Sequence, residues 1–188
     1  MRRLSTFQNQ KRKDRIKQFA VSGVLVFIML FSVLGYGFYD GEGDSNKNFN
    51  YNGFEFVNQN GLWILDIGGT KFGFKNNPNE VPRINSLINS VKDYSGKPLY
   101  VYSENKMAEY EVYNNLRQVA LRMQPACLNE EKCEKNIPVK TCEDNFIIIQ
   151  ESENLEILQN KSCVFIKGPQ ENLTQITDEF LFKVIGVD

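Results

Sequence analysis

The chain has 188 residues, 22 basic against 23 acidic for a formal charge of −1, four cysteines and no histidine. Without histidine there is no Ser-His or Cys-His couple, no imidazole general base and no His-containing metal site. The acidic excess lies in the larger C-terminal part, which argues against nucleic acid as a partner because like charge repels phosphate.

Residues 1–18 hold Arg2, Arg3, Lys11, Arg12, Lys13, Arg15 and Lys17 against Asp14 alone. So short a tail does not fold, and it reads as the cytoplasmic flank that orients a membrane span; clustered cations of this kind also suit anionic headgroups. Phe19 to Tyr39 then runs for 21 positions without a charged side chain. At ~1.5 Å of rise per residue this reaches across the roughly 30 Å of bilayer hydrocarbon. The run is longer than the apolar core of a cleaved signal, and Tyr36, Phe38 and Tyr39 fall at headgroup depth, so a retained single-pass signal anchor at 19–39 is expected. The lipid bilayer is its partner, with the N-terminus in the cytoplasm and the rest outside. Ser22, Gly23 and Ser32 would be the small residues available to an accessory subunit of a membrane complex.

Residues 40–50 read as a flexible tether of Gly, Ser, Asn and acids. Asp40, Glu42, Asp44 and Asn46 echo a calcium loop, but Ser45 stands where glycine is needed and Tyr51 where the bidentate glutamate belongs. Taking the seven tail cations from 22 and Asp14 from 23 leaves 15 basic and 22 acidic residues, a formal −7 beyond the span.

Residues 51–188 read as one extracytoplasmic domain of mixed α/β (α+β) class. Phe54-Glu55-Phe56-Val57, Leu62-Trp63-Ile64-Leu65 and Phe72-Gly73-Phe74, separated by Asn60-Gly61 and Gly68-Gly69, predict a three-stranded meander. Pro82 opens a predicted helix with Ile84, Leu87, Ile88 and Val91 on one face, ending at Gly96. A strand at Leu99 to Tyr102 precedes a long helix over 105–124, with Ala108, Val112, Leu116, Val119 and Met123 as its stripe. Phe146-Ile147-Ile148-Ile149 is then expected parallel to the strand at Leu99, through a right-handed crossover. Leu155 to Leu158 and Val164 to Ile166 read as strands, and Leu173, Ile176, Phe180 and Val184 as the stripe of a last helix ending at Gly186. The pattern is therefore a meander followed by a β-α-β-β-α unit.

Cys127, Cys133, Cys142 and Cys163 all lie in the outer part, where an oxidising space favours two disulfides. Four cysteines allow three pairings; the expected one joins Cys133 to Cys142 around a short loop and Cys127 to Cys163 from helix end to strand. Zinc is the competing use, and the absence of close Cys pairs speaks against it and against a redox-active dithiol. No cofactor is expected.

Carboxylates sit as Glu109 with Glu111, Glu130 with Glu131, and Asp178 with Glu179. Neither neighbours in sequence nor residues two apart on a helix face each other as acid and base, so these are expected on the solvated surface. A Ser-Lys dyad would have to draw on Ser86, Ser90, Ser95, Ser103, Ser152 or Ser162 with Lys71, Lys97 or Lys106, and no motif links them. Gly68-Gly69-Thr70-Lys71 lacks the spacing of a phosphate loop and is expected to be a turn. Tyr51, Phe54, Phe56, Trp63, Phe72 and Phe74 suit a buried sheet face better than a binding face. Asn160 and Asn172 each open an N-glycan acceptor triplet.

Arg122-Met123-Gln124, Ala126-Cys127, Pro138-Val139-Lys140-Thr141-Cys142 leading into Asn145-Phe146-Ile147-Ile148, Cys163-Val164, and Asp178-Glu179-Phe180-Leu181 before Gly186-Val187 carry a resemblance. Through them the chain resembles uncharacterised single-pass, cysteine-containing membrane proteins of small-genome archaea, from about Tyr51 onward. The resemblance implies an archaeal envelope protein with a disulfide-bonded outer domain and brings no activity. The expected function is a non-enzymatic envelope binding or interaction protein whose partner is another envelope protein or polymer. The alternatives are a membrane-anchored hydrolase using carboxylates or a Ser-Lys pair, and an accessory subunit of a membrane complex.

Overall fold

A computed structural model of the chain describes residues 19–32, 48–128, 133 and 136–187. The chain divides into two units, Met1–Ser45 and Asn46–Asp188. In the first, residues 19–32 form helix α1, exposed throughout. Among the described residues no helix is long and apolar enough to cross a membrane. The rest of the expected span at 33–39, the tail at 1–18 and the tether at 40–47 lie outside the described residues.

The second unit opens with four strands in sequential antiparallel order, β1 (Asn48–Tyr51), β2 (Phe54–Gln59), β3 (Leu62–Ile67) and β4 (Thr70–Phe74). The meander thus has four strands instead of three, and its first strand takes the end of the expected tether. Asn52 and Gly53, and Asn60 and Gly61, all have positive φ, the two-residue turn whose twist matches a hairpin. The register lines up Phe49, Phe56, Leu65 and Phe72 across the sheet. Phe56, Leu65, Phe72 and Phe74 are buried, as alternation requires of a sheet with one inward face.

Pro82 to Gly96 departs from expectation, since only Val91–Tyr94 is helical (α2). The residues before it run without regular structure because their backbone is engaged elsewhere: Ile84 N–H donates to Glu179 Oε1 at 3.2 Å and Asn89 N–H to Gln159 Oε1 at 2.7 Å. Leu87 is 95% exposed, so the apolar spacing there is not a buried stripe. The helix start is Ser90, reciprocally bonded with Asp93 in a capping box.

A five-stranded mixed sheet follows in the order β6-β5-β7-β9-β8, from β5 (Pro98–Ser103), β6 (Arg122–Pro125), β7 (Phe146–Glu151), β8 (Glu156–Asn160) and β9 (Cys163–Gly168). β5 and β7 are parallel neighbours, as expected, and only β8 runs antiparallel. The helix between them, α3, covers Lys106–Leu116 and not 105–124. Its start is fixed by Asn105, whose side chain accepts from Met107 N and Ala108 N. Beyond the turn after Leu116, residues 122–125 pair with β5, so Val119 and Met123 leave the predicted stripe; Pro125 is tolerated because β6 is an edge strand.

Helix α4 (Leu173–Ile185) is capped by Gly186 at φ 80°. Besides the predicted stripe of Leu173, Ile176, Phe180 and Val184 it buries Leu181 and Phe182. The cause is its position: one side packs on β7, β8 and β9, while Phe182 meets Phe56 and Phe74 of the meander at centroid distances of 5.8 and 4.5 Å. A helix between two sheets is apolar nearly all round. Gly168 makes room for it, since a Cβ there would stand 2.2 Å from Ile176 Cδ1.

The other face of the mixed sheet carries Tyr100, Phe146, Ile148 and Cys163, covered by the chain between β6 and β7. Here the expected disulfide pairing is corrected. Cys127 joins Cys133, and Cys142 joins Cys163, with Cα separations of 5.6 and 4.8 Å. Cys127 follows β6, three strands away from β9. Three spacings of ~4.8 Å put it about 14 Å from Cys163, well beyond disulfide reach. Cys142 instead lies beside β9, where its carbonyl accepts from Ser162 N–H at 3.1 Å.

Candidate functional site

Titratable chemistry concentrates where α3, α4 and the end of β4 meet. Glu111 is 1% exposed, Asp178 0% and Glu179 3%. The expectation of solvated carboxylates is therefore corrected for these three, because α4 has no solvent side and α3 turns Glu111 toward it. The interaction that forms crosses the sequence pairs: Glu111 and Asp178 perturb each other electrostatically. Burial pushes the Glu111 carboxyl up to about 7, against the pull of its bonds to Asp178 and to the Lys75 backbone and of the Lys75 charge. Burial, with Glu111 beside it, holds Asp178 well above the usual carboxylate range.

Backbone from the meander completes this centre. Asp178 Oδ2 accepts from Asn76 N–H at 2.9 Å and from Asn76 Nδ2 at 2.8 Å. One turn along α3, Asn115 Oδ1 accepts from Gly73 N–H at 2.8 Å while Asn115 Nδ2 donates to Gly73 O at 2.9 Å. The amide side chain thus stands in for the strand that β4, as an edge, lacks. Glu179 Oε1 is 3.3 Å from Lys183 Nζ and also holds the Ile84 N–H. Glu111 Oε2 and Asp178 Oδ1 are buried and have no hydrogen-bond partner.

A separate open cleft of about 490 Å³ lies at the carboxyl ends of β5 and β6, between the start of α3 and the Cys127–Cys133 bridge. Tyr102, Glu104, Lys106 and Glu109 give it polar character, and Val101, Pro125 and Ile137 an apolar wall. Lys106 Nζ and Glu109 Oε2 pair at 3.1 Å. Burial, then the nearby Glu104, raises the Tyr102 phenol. The cleft lies on the β5–β6 side of the sheet, one strand away from the β5–β7 junction where the order of connection reverses.

The remaining sequence candidates fall as follows. All four cysteine sulfurs are consumed in bridges, so the zinc alternative loses its thiolates; among the described residues no cluster of three or more His, Cys, Asp or Glu is placed to hold a metal. Gly68-Gly69 is the β3–β4 turn, with Gly69 N–H already donated to Asp66 Oδ1 at 2.8 Å. Of the dyad serines, Ser90 is bonded to Asp93, and Ser103 Oγ donates to Asn105 O at 2.7 Å. Asn160 is exposed at the end of β8, whereas the Asn172 amide, at the N-cap of α4, donates to Gln175 Oε1 at 3.0 Å. The buried Glu111–Asp178 pair escaped sequence reading because its members are 67 positions apart; the polar break in the apolar run of α4 at Thr177-Asp178-Glu179 was the available signal. No protein-family model matches the chain, and no curated protein or solved structure is similar to it.

Proposed function

We propose that the chain is a non-enzymatic binding domain held at the outer surface of a cell membrane by residues 19–39, with its partner or ligand, an envelope protein or polymer, taken up in the cleft at the ends of β5 and β6. The observation that carries this reading is the separation of chemistry from access. The coupled acids are sealed in the core, while the open cleft offers Tyr102, Lys106 and an apolar wall. Its volume falls within the roughly 300–1,000 Å³ of small-ligand sites. Two disulfides support an oxidising exterior. The hydrolase alternative draws on the raised Glu111 carboxyl, a usual mark of an acid catalyst, but the group lacks a path to substrate.

Photo-crosslinking at Tyr102 in intact cells tests the cleft. A discrete adduct there, and none from Glu55 on the meander's outer face, is the expected result; equal labelling from both positions removes the reading. Intact mass after alkylation checks the compartment: thiol reagent should add only after reduction. Four alkyl groups added without reductant would turn the domain inward.

A further inference from the structure

The hairpin that joins β8 to β9 carries an acceptor triplet, Asn160-Lys161-Ser162, that the cleft does not use. Asn160 ends β8 opposite Cys163, and Lys161 takes the turn at φ 53°. Gln159 Nε2 donates to Lys161 O at 2.9 Å and Ser162 N–H to Cys142 O at 3.1 Å, so the turn is held from both sides. The Asn160 side chain itself is exposed and its amide is bonded to no described residue. The second triplet stands differently. Asn172 is half-buried at the start of α4, and its Nδ2 already donates to Gln175 Oε1 at 3.0 Å. Thr174 follows two residues on in a helical turn, roughly 200° round the axis, so the acceptor amide and its hydroxyl partner face apart.

We propose that Asn160 carries an N-linked oligosaccharide while Asn172 stays bare, and that this sugar covers the open β8 edge of the mixed sheet. The inference rests on the outer location proposed above. Its donor is a lipid-linked sugar phosphate: the C–N bond forms between the anomeric carbon and Asn160 Nδ2, the anomeric C–O bond to phosphate breaks, the amide gives up one proton, and the lipid phosphate leaves with the electron pair. What the sugar covers lies on the same strand. The register puts Asn160 and Leu158 on one face with Cys163 and Phe165. Leu158, about 7 Å from Asn160 at two residues of strand rise, is 49% exposed, and Phe165 beside it is half-buried. β8 is also one of the two edges of its sheet. The other edge, β6, carries Pro125, which cannot donate to an added strand, whereas β8 has no proline and leaves its outer side open to a second chain. A hydrated oligosaccharide at the end of β8 supplies the cover that the sequence of the strand lacks.

Peptide mass spectrometry on the full-length chain, extracted from the membranes of its own cells, tests the site. The peptide spanning Asn160 should carry a sugar mass increment and the peptide spanning Asn172 none. Asn160→Gln and Ser162→Ala should each lose the increment, the first by removing the acceptor and the second by removing the hydroxyl, whereas Lys161→Arg should keep it. A bare Asn160, or equal occupancy of Asn172, overturns the proposal. Sedimentation reads the cover: loss of the sugar should raise self-association at least about threefold at equal concentration. Unchanged association in both sugar-free variants overturns that part. If Asn160→Gln does not fold, Ser162→Ala, which keeps the asparagine, carries the comparison alone. Alkylation of the same sample separates this proposal from the outer location. Intact bridges with a bare Asn160 sink the sugar only, and free thiols with a bare Asn160 sink both.

Discussion

Asn115 shows how one side chain joins the meander to the helices. It is fully buried, and its amide meets both the N–H and the C=O of Gly73. Asn115→Ala strands the Gly73 N–H, while the carbonyl keeps the Asn114 Nδ2 donor at 3.2 Å. A buried unsatisfied group costs about 1–3 kcal/mol, so the urea midpoint should drop by that equivalent. Gly168 is tested from the opposite direction: Gly168→Ala forces Ile176 from its place, and overpacking of this kind costs about 1–3 kcal/mol by the same measurement.

The acid pair makes a third prediction, with its sign fixed by linkage. The Glu111 carboxyl loses its proton near 4.5 when exposed in the unfolded chain and at about 7 when folded. Below 4.5 both states are protonated and the group adds no pH dependence. From there to about 7 the folded state holds more protons, so stability falls as pH rises, by roughly 1.4 kcal/mol per unit per proton, and then levels off. Denaturation of Glu111→Gln should lack that decline; a wild-type profile that rises over the interval would contradict the assignment.

Elements differed in how plainly the sequence announced them. The meander was legible because apolar alternation coincided with Asn-Gly and Gly-Gly turns, yet Asn52-Gly53 carries the same hairpin signal and went unread, its first strand hidden in asparagine-rich surroundings. The two predicted helices failed for opposite reasons. At 82–90 a real apolar period was overridden by side chains of α4 and β8 that bind the backbone, and at 117–124 a helical stripe ran on into residues that a neighbouring strand claims. Disulfide pairing depends on strand order, which lies outside local sequence. The corrected connectivity gives graded losses. Deleting the Cys142–Cys163 bridge, with a sequence separation of 21, should cost about 3 kcal/mol, and deleting Cys127–Cys133, with a separation of 6, about 2 kcal/mol, read from denaturant midpoints of the paired Cys→Ser variants.

At the scale of the domain, the meander and the mixed sheet share the helical layer of α3 and α4 between them. That layer is apolar against each sheet and polar at the seam where Asn115, Glu111 and Asp178 take up meander backbone. The cleft meanwhile lies at the ends of the parallel strands β5 and β6, beside the Cys127–Cys133 bridge. Of this polar middle layer the sequence shows only the break at Thr177-Asp178-Glu179, because burial of Glu111 and Asp178 arises from stacking two sheets on one layer of two helices. Amphipathic periodicity supposes a helix with one wet side.

α4 follows the nine strands of the described residues, and both sheets are finished against it. During synthesis each must wait with its oily side bare until this late segment leaves the ribosome. Ribosome-bound chains stalled just before Leu173 should therefore be protease-sensitive and bound by chaperones, whereas chains stalled far enough downstream for residues 173–187 to emerge should turn resistant; early resistance in the shorter chains would mean that the sheets close without it. The emergence of α4 thus sets the moment at which the domain comes into being.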